Sequence, residues 1–288
     1  MRSAWEVWTR IILLLVRLEK GEIRNKDRRD VSPEENTVPR LVPQVIASDP
    51  EELKVLTDFL ASQGYREIDV NMGCPFPLIV RRGKGAGILS SPEKVEALLE
   101  MMKVFPEIRF SVKMRLGGQD AEEWKALVPL LNRSCVTQVT LHPRIGKQQY
   151  KGAVDREAFR AFYEACERPL VYNGDLLTVA DIREVLEAFP RLKGVMLGRG
   201  LLTNPALALA FREGELSENE LKARVAQMHR QMYLYYHRVI EGGEAQLLAK
   251  LKTCWEYLLP ELDKKQRKAI LKSNRLDGYL RAVEEALR

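Results

Sequence analysis

The feature that most restricts the fold is an alternation, six times over between residues 40 and 215, of a short apolar run with a longer amphipathic segment. The runs are 42–47, 68–70, 110–114, 138–141, 169–172 and 194–197. Short runs of this kind, bounded by Gly, Pro, Asn and Asp, read as buried strands. The segments between them carry helix punctuation. Asp49-Pro50 opens the first, Leu53, Leu56, Phe59 and Leu60 form its apolar face, and Gly64 stops it. Ser91-Pro92 opens the second in the same way. A helix between successive strands returns the chain to the same end, so the strands run parallel. Polar residues follow nearly every strand: Gln44, Asn71 with Cys74, Lys113 with Arg115, His142 with Arg144, Asn173 with Asp175, and Arg199. A barrel gathers all its strand ends around one site, whereas an open sheet uses only the switch point. The pattern therefore predicts an α/β fold of the (β/α)8 TIM-barrel type.

After residue 215 the alternation ends. Ser217 and Glu220 form a capping box, and Leu221, Val225, Met228, Met232, Tyr235 and Val239 recur every three or four residues. Gly242-Gly243 breaks the chain, a second helix runs to Pro260, and further turns reach Leu287. The expected organisation is an atypical N-terminal helix over 1–19, a barrel over 20–215 and a small α-helical bundle domain over 216–288. Tyr233, Tyr235 and Tyr236 are read as bundle core, with base stacking as the alternative.

Charge separates these parts. The chain is +6 overall; residues 216–288 carry 14 Lys+Arg against 10 Asp+Glu, and residues 41–215 carry 23 of each. A basic appendage on a neutral core suits a polyanion, although a net +4 also describes an ordinary solvated helical surface. The four cysteines and three histidines have no metal-ligand spacing, and the cysteines read as reduced, cytosolic thiols, so no metal is expected. The longest apolar run near the start is six residues, too short for a bilayer, and lacks a cleavage site; a cytoplasmic protein without a membrane segment is expected.

Five motifs, each after a predicted strand, carry a resemblance. They are Asp69-Val-Asn-Met-Gly-Cys-Pro75 with Gly85-Ala-Gly-Ile-Leu89; Val112-Lys-Met-Arg-Leu-Gly117; Leu141-His-Pro-Arg144 with Tyr150, Gly152 and Asp155; Asn173-Gly-Asp175; and Gly198-Arg-Gly200 with Asn204-Pro205. Together, and in this order, they resemble the FMN-dependent tRNA-dihydrouridine synthases over about residues 20–288. The resemblance implies reduction of specific tRNA uridines to 5,6-dihydrouridine, with FMN as cofactor, NADPH as electron source and tRNA as partner. It implies that Cys74 donates a proton to the base, a role suited to a thiol, whose reference pKa of about 8.5 leaves it protonated near neutrality. It places Gln44, Asn71, Lys113, His142 and Arg144 around the flavin, with Arg144 alternatively on RNA phosphate. Asn173, Gly174, Asp175, Gly198 and Arg199 match the segments that hold ribityl and phosphate, with a helix N-terminus expected at Asn204. The basic helical tail, with Lys264, Lys265, Arg267, Lys268, Lys272 and Arg275, would grip the tRNA backbone.

The chain departs from the family pattern at its start. The family's opening strand ends in an APMxGxT-like motif that packs against the flavin, and no such motif occurs here. The barrel is thus expected to lack its first one or two strands, with flavin affinity weakened or lost. Truncation, a covering N-terminal helix and a dimer that completes the sheet would each account for this. Truncation is preferred, and a monomer is expected, with dimerisation open through the incomplete barrel. Two alternatives to the tRNA reductase remain: a catalytically impaired homologue that only binds tRNA, and an FMN barrel that reduces a free pyrimidine.

Overall fold

The computed structural model describes residues 15–19, 21–36 and 40–288. The chain divides into two compact units, Met1–Gly174 with Phe189–Met196, and Asp175–Ala188 with Leu197–Arg288.

The first unit holds a seven-stranded parallel sheet of β1 (Leu15–Val16), β4 (Gln44–Val45), β5 (Glu67–Met72), β6 (Arg109–Gly117), β7 (Gln138–Ile145), β8 (Leu170–Asn173) and β9 (Gly194–Met196), neighbours in that order. Two further short strands, β2 (Leu18–Glu19) and β3 (Glu22–Ile23), form an antiparallel pair around Gly21, whose φ of 83° suits the tight turn. All six strands read from the sequence are present. The order never reverses, so there is no switch point. That sequential, singly wound order is the one a (β/α) barrel has and a doubly wound sheet lacks. Among the described residues no pairing joins β1 to β9.

The N-terminal helix expected over 1–19 is corrected where it can be seen. Leu15–Val16 is extended and pairs in parallel with Gln44–Val45, and Leu18–Glu19 is extended as well. The free edge of β4 offers ladder hydrogen bonds that a short isolated apolar helix cannot match, so pairing overrides the local pattern. Residues 1–14 lie outside the described residues.

Helices cover one face of the sheet: α1 (Asn25–Asp30), α2 (Pro50–Ser62), α3 (Pro77–Val80), α4 (Pro92–Met102), α5 (Trp124–Arg133) and α6 (Arg156–Ala165). Asp49 caps α2 and Asp155 caps α6, each accepting a backbone N–H three residues on. Ile68, Val70, Met72, Phe110, Val112, Met114, Val139, Leu141 and Tyr172 alternate onto the helix-covered face and are all buried. Phe159 of α6 meets Tyr172 edge to face with ring centroids 4.7 Å apart.

The second unit is helical: α7 (Val179–Ala188), α8 (Arg199–Thr203), α9 (Leu207–Glu213), α10 (Glu218–Val239), α11 (Gly243–Thr253), α12 (Lys264–Lys272) and α13 (Leu276–Ala286). The capping box at Ser217 and Glu220 forms as the sequence predicts. Its core gathers Val225, Leu247, Leu251, Trp255, Ile270, Tyr279 and Val283. No described helix is long and apolar enough to cross a membrane.

Candidate active site

Strand register brings the polar residues together. Gln44 lies opposite Asp69, Asn71 opposite Lys113, Lys113 opposite Thr140, Arg115 opposite His142, and Asn173 opposite Met196. Side chains alternate along a strand, so Gln44, Asp69, Asn71, Ser111, Lys113, Arg115, Thr140, His142, Arg144 and Asn173 all share the face turned away from the helices. Asn71, Arg115 and Asn173 lie near the C-terminal ends of their strands, Lys113 and His142 lie at mid-strand, and Arg144 follows on β7. Lys113 is in register with Asn71, just before the loop that carries Cys74, so the two belong to one region of this face.

The loop that carries Cys74 is pinned from both sides. Asn71 Oδ1 accepts the N–H of Gly73 at 3.0 Å and of Cys74 at 2.8 Å. The second half of the first motif folds back onto it: the Ala86 N–H donates to the Cys74 carbonyl at 3.0 Å. Gly85, with φ of 57°, sits so close that a Cβ there would fall 2.6 Å from the Cys74 carbonyl oxygen. The two strings of the motif are thus one packed object, and only glycine fits at the contact. Lys84 ties this loop to Glu52 at the start of α2.

Arg115, 1% exposed, is a clamp. Its Nε donates to the Gly73 carbonyl at 3.0 Å, and its Nη1 to the carbonyls of Ile145 at 3.0 Å and Gln149 at 2.7 Å. Its guanidinium lies 5.4 Å from the centroid of the Tyr150 ring. Arg144 is also buried. Its Nη2 donates to the Gly152 carbonyl at 2.6 Å, and its Nη1 lies 3.0 Å from His142 Nε2. Arginine can only donate, so His142 Nε2 accepts and the ring carries its proton on Nδ1. Gly174 closes against this ring: a Cβ at that position would lie only 3.2 Å from His142 Cδ2.

Lys113 is half-buried and makes no hydrogen bond or ion pair to another described residue. Burial, seconded by the charge of Arg115, pushes its amine down to about 8; Asp69 and Cys74 push the other way. Thr140 Oγ1, opposite it in register, is buried and without a hydrogen-bond partner. Gln44 and Asn71 each use one of two N–H groups, Gln44 Nε2 donating to Asp69 Oδ2 at 2.7 Å and Asn71 Nδ2 to Gln44 Oε1 at 2.7 Å, so each amide keeps one N–H without a partner among the described residues. Asn173 Nδ2 donates to the Met196 carbonyl at 2.8 Å.

Asp175, Gly198 and Arg199 fall in the second unit, where Arg199 Nη2 pairs with Asp175 Oδ1 at 2.5 Å. The helix N-terminus expected at Asn204 is displaced. Asn204 ends α8, and α9 begins at Leu207, with Asn204 Oδ1 accepting the Ala206 N–H at 2.9 Å. The side chain competes for the backbone and makes a turn there instead of a helical start.

The sequence model of the Dihydrouridine synthase (Dus) family matches residues 18–274. The chain belongs to that family. A relative described as the tRNA-dihydrouridine(16) synthase of Cupriavidus necator is 30% identical over 224 residues, covering 75% of this chain and 69% of the relative. A "Probable tRNA-dihydrouridine synthase" of Staphylococcus epidermidis is 29% identical over 188 residues, and one of Staphylococcus aureus is 29% identical over 170. This chain spans only 56% and 51% of those two proteins. Among solved structures, morphinone reductase has a TM-score of 0.43 at 13% identity, covering 58% of this chain and 49% of that one. Phosphoribosyl anthranilate isomerase from Thermococcus kodakaraensis has a TM-score of 0.44 at 17% identity, covering 69% and 84%. At this level of similarity neither adds to the assignment.

In the helical unit of this dihydrouridine synthase family member, five of the six basic residues picked from the sequence are exposed: Lys264, Lys265, Lys268, Lys272 and Arg275. Arg267 is not free for RNA. Its guanidinium turns inward and donates to the carbonyls of Trp255, Leu258 and Leu259. The sequence reading missed the cations of α10. Beyond its first turn this helix carries Arg224, Arg230 and Arg238, all exposed, and no carboxylate through Val239. Tyr233 and Tyr236 pack on the bundle core, but Tyr235 is 44% exposed, with Arg238 5.7 Å from its ring centroid. The sequence reading also gave Asp69, Ser111 and Thr140 no role. Their period-two spacing with Asn71, Lys113 and His142 was the signal that could have placed them on the same face.

Proposed function

We propose that this chain is a tRNA-dihydrouridine synthase that uses FMN and NADPH. The observation that carries the reading is a set of polar groups left without partners at one rim of the inner face: Cys74 Sγ, Lys113 Nζ, Thr140 Oγ1, and one N–H each of Gln44 and Asn71. Buried or half-buried donors without partners are costly, and several of them gathered at one place suit a polar ligand. Lys113, Thr140 and the two amides can donate to the oxygens and nitrogens of a flat heteroaromatic ring, so the residues present fit a flavin.

Lys113 and His142, with its Nδ1–H, would hold the flavin ring system, and Asn173 and Gly174 are proposed for its ribityl chain; Asp175, Gly198 and Arg199 are proposed as phosphate ligands from their motifs alone. Bound flavin, recharged by NADPH, supplies the hydride that adds to C6 of the uracil. Cys74 then gives the proton of its thiol to C5, completing the saturation of the C5–C6 bond, and recovers a proton from water. The Lys113 ammonium, still mostly protonated at neutral pH, places positive charge where negative charge gathers during the reaction. Asn71 and Gly85 hold the backbone that presents the thiol. The uridine must leave its stack to reach this rim, and the exposed cations of α10 and α12 in the 216–288 segment are proposed to hold the tRNA backbone while it does.

The test is direct. Purified protein is supplied with FMN, NADPH and tRNA lacking dihydrouridine, and the nucleosides are measured by mass spectrometry. Dihydrouridine forms, and the protein shows flavin bands at about 370 and 450 nm. A flavin-loaded protein that leaves the tRNA unchanged overturns the reaction. A protein that binds tRNA but takes up no flavin returns the chain to a binding role.

A further inference from the structure

A line of hydrogen bonds crosses three strands of the inner face and ends on the backbone of Cys74. Asp69, fully buried, accepts Ser111 Oγ–H at 2.6 Å on Oδ1 and Gln44 Nε2–H at 2.7 Å on Oδ2. Gln44 Oε1 accepts Asn71 Nδ2–H at 2.7 Å, and Asn71 Oδ1 accepts the N–H groups of Gly73 and Cys74. Every link has one possible direction. A carboxylate only accepts, so the Gln44 amide must donate with its nitrogen and accept with its oxygen. Asn71 must then do the same, and its oxygen is left facing the Cys74 loop. Replacing the carboxylate by an apolar or donating group would free both amides to flip.

We propose that Asp69 is a positioning residue of this active site: through Gln44 and Asn71 it fixes the loop that presents the Cys74 thiol, and its negative charge faces the Lys113 ammonium across the inner face. The proposal rests on the reading of Cys74 and Lys113 as the working pair. A buried carboxylate is an expensive way to fill a sheet interior, where Val or Leu would serve. Ser111 and Gln44 offset part of that cost, and the charge that is kept acts on a neighbour. That neighbour is Lys113. The charged and titratable groups on its face are Asp69 and Cys74 from β5 and its loop, Arg115 on its own strand, and His142 and Arg144 from β7, with neutral Thr140 directly opposite. Burial and Arg115 lower its amine, and Asp69 and Cys74 oppose them. Without Asp69, the cation would face Arg115 with less counter-charge.

Two readouts on the full chain separate positioning from filling, and neither needs flavin or RNA. The first is the titration of Lys113, followed by NMR after 13C reductive methylation and assigned by its loss in Lys113→Arg. The second is the rate of iodoacetamide alkylation at Cys74, read by peptide mass spectrometry, with exposed Cys135 as the internal reference. Asp69→Asn is expected to lower the Lys113 midpoint by about one pH unit. It is also expected to raise Cys74 alkylation roughly fivefold, the factor that one hydrogen bond is worth. Gln44→Ala cuts the line but keeps the charge, so it should raise the Cys74 rate and leave the Lys113 midpoint in place. A folded Asp69→Asn protein with both readouts at wild-type values overturns the proposal. Should Asp69→Asn fail to fold, a wild-type Cys74 rate in Gln44→Ala overturns it. Either failure leaves the proposed reaction to its own test on tRNA.

Discussion

Two buried polar clusters among the described residues differ in whether they close. In the helical unit, Trp255 Nε1 donates to Tyr279 Oη at 3.0 Å, His229 Nε2 lies 2.7 Å from the same oxygen, and the Leu251 carbonyl accepts from it at 3.2 Å. Each of these groups has its partner inside the cluster. On the inner face of the sheet the Asp69 line is just as well ordered, yet Cys74 Sγ, Lys113 Nζ and Thr140 Oγ1 beside it have no hydrogen-bond partner among the described residues. An unsatisfied buried polar group costs about 1–3 kcal/mol. A closed cluster is a way of specifying a core, whereas an open one is a stability cost that a bound molecule can recover. That difference is what favours the sheet rim as the proposed site and the bundle cluster as scaffold.

The two clusters part most sharply at Cys74. Cys74→Ala removes an unpartnered thiol, so the fold should be intact while dihydrouridine formation, measured by nucleoside mass spectrometry under single-turnover conditions, falls by about 100-fold or more. An equal loss of stability in urea would instead mark the thiol as packing. At the closed cluster the order of effects inverts. Burial pushes His229 down to about 4 from 6.5. The unfolded chain therefore binds a proton more readily than the folded one between those values. The stability tied to neutral His229 is complete above pH 6.5 and is lost as pH falls toward 4, by up to about 3 kcal/mol. Urea titrations from about pH 7 to about pH 4 should show this loss, and His229→Gln should flatten it. Tyr279→Phe leaves the Trp255 and His229 nitrogens without their shared oxygen and should cost about 2 kcal/mol near neutral pH. Neither substitution should alter the Cys74 alkylation rate.

Much of this was legible before the structure, and the reasons are particular. The six strands were readable because each is a short apolar run with its own turn residues, and their polar ends announced the rim. Cys74, Lys113 and His142 drew attention because each follows or closes an apolar run in the sequence. Asp69 was not singled out, because a carboxylate at the first position of a motif looks like part of a strand until the register sets it against Gln44 and Ser111. Arg115 stood in the sequence only as one polar residue beside Lys113, and the carbonyls of Gly73, Ile145 and Gln149, distant in sequence, take its donors. Leu15–Val16 looked helical because nothing local says that the edge of β4 is open to it. In each case the missing information was a long-range partner.

The smallest expected effect concerns the surface. The sequence drew attention to the basic run on α12, since its charges are adjacent, while those of α10 are dispersed along the helix. The structure removes one member of the run, Arg267, and adds an acid-free face on α10 with Arg224, Arg230 and Arg238. Adjacent charge and useful charge are different things: a phosphate contact needs an exposed cation without a competing partner. Removing one cation–phosphate pair lowers the slope of log Kd against log salt by about 0.9. Filter binding of unmodified tRNA over a range of KCl should thus show a slope reduced by about one for Arg230→Ala and for Lys268→Ala. Arg267→Ala should leave the slope alone and lower stability by about 2 kcal/mol, because it strips the donors from the Trp255, Leu258 and Leu259 carbonyls. An unchanged slope for Arg230→Ala with a reduced one for Lys268→Ala would return the RNA contact to α12 alone and leave the α10 stripe as solvated surface.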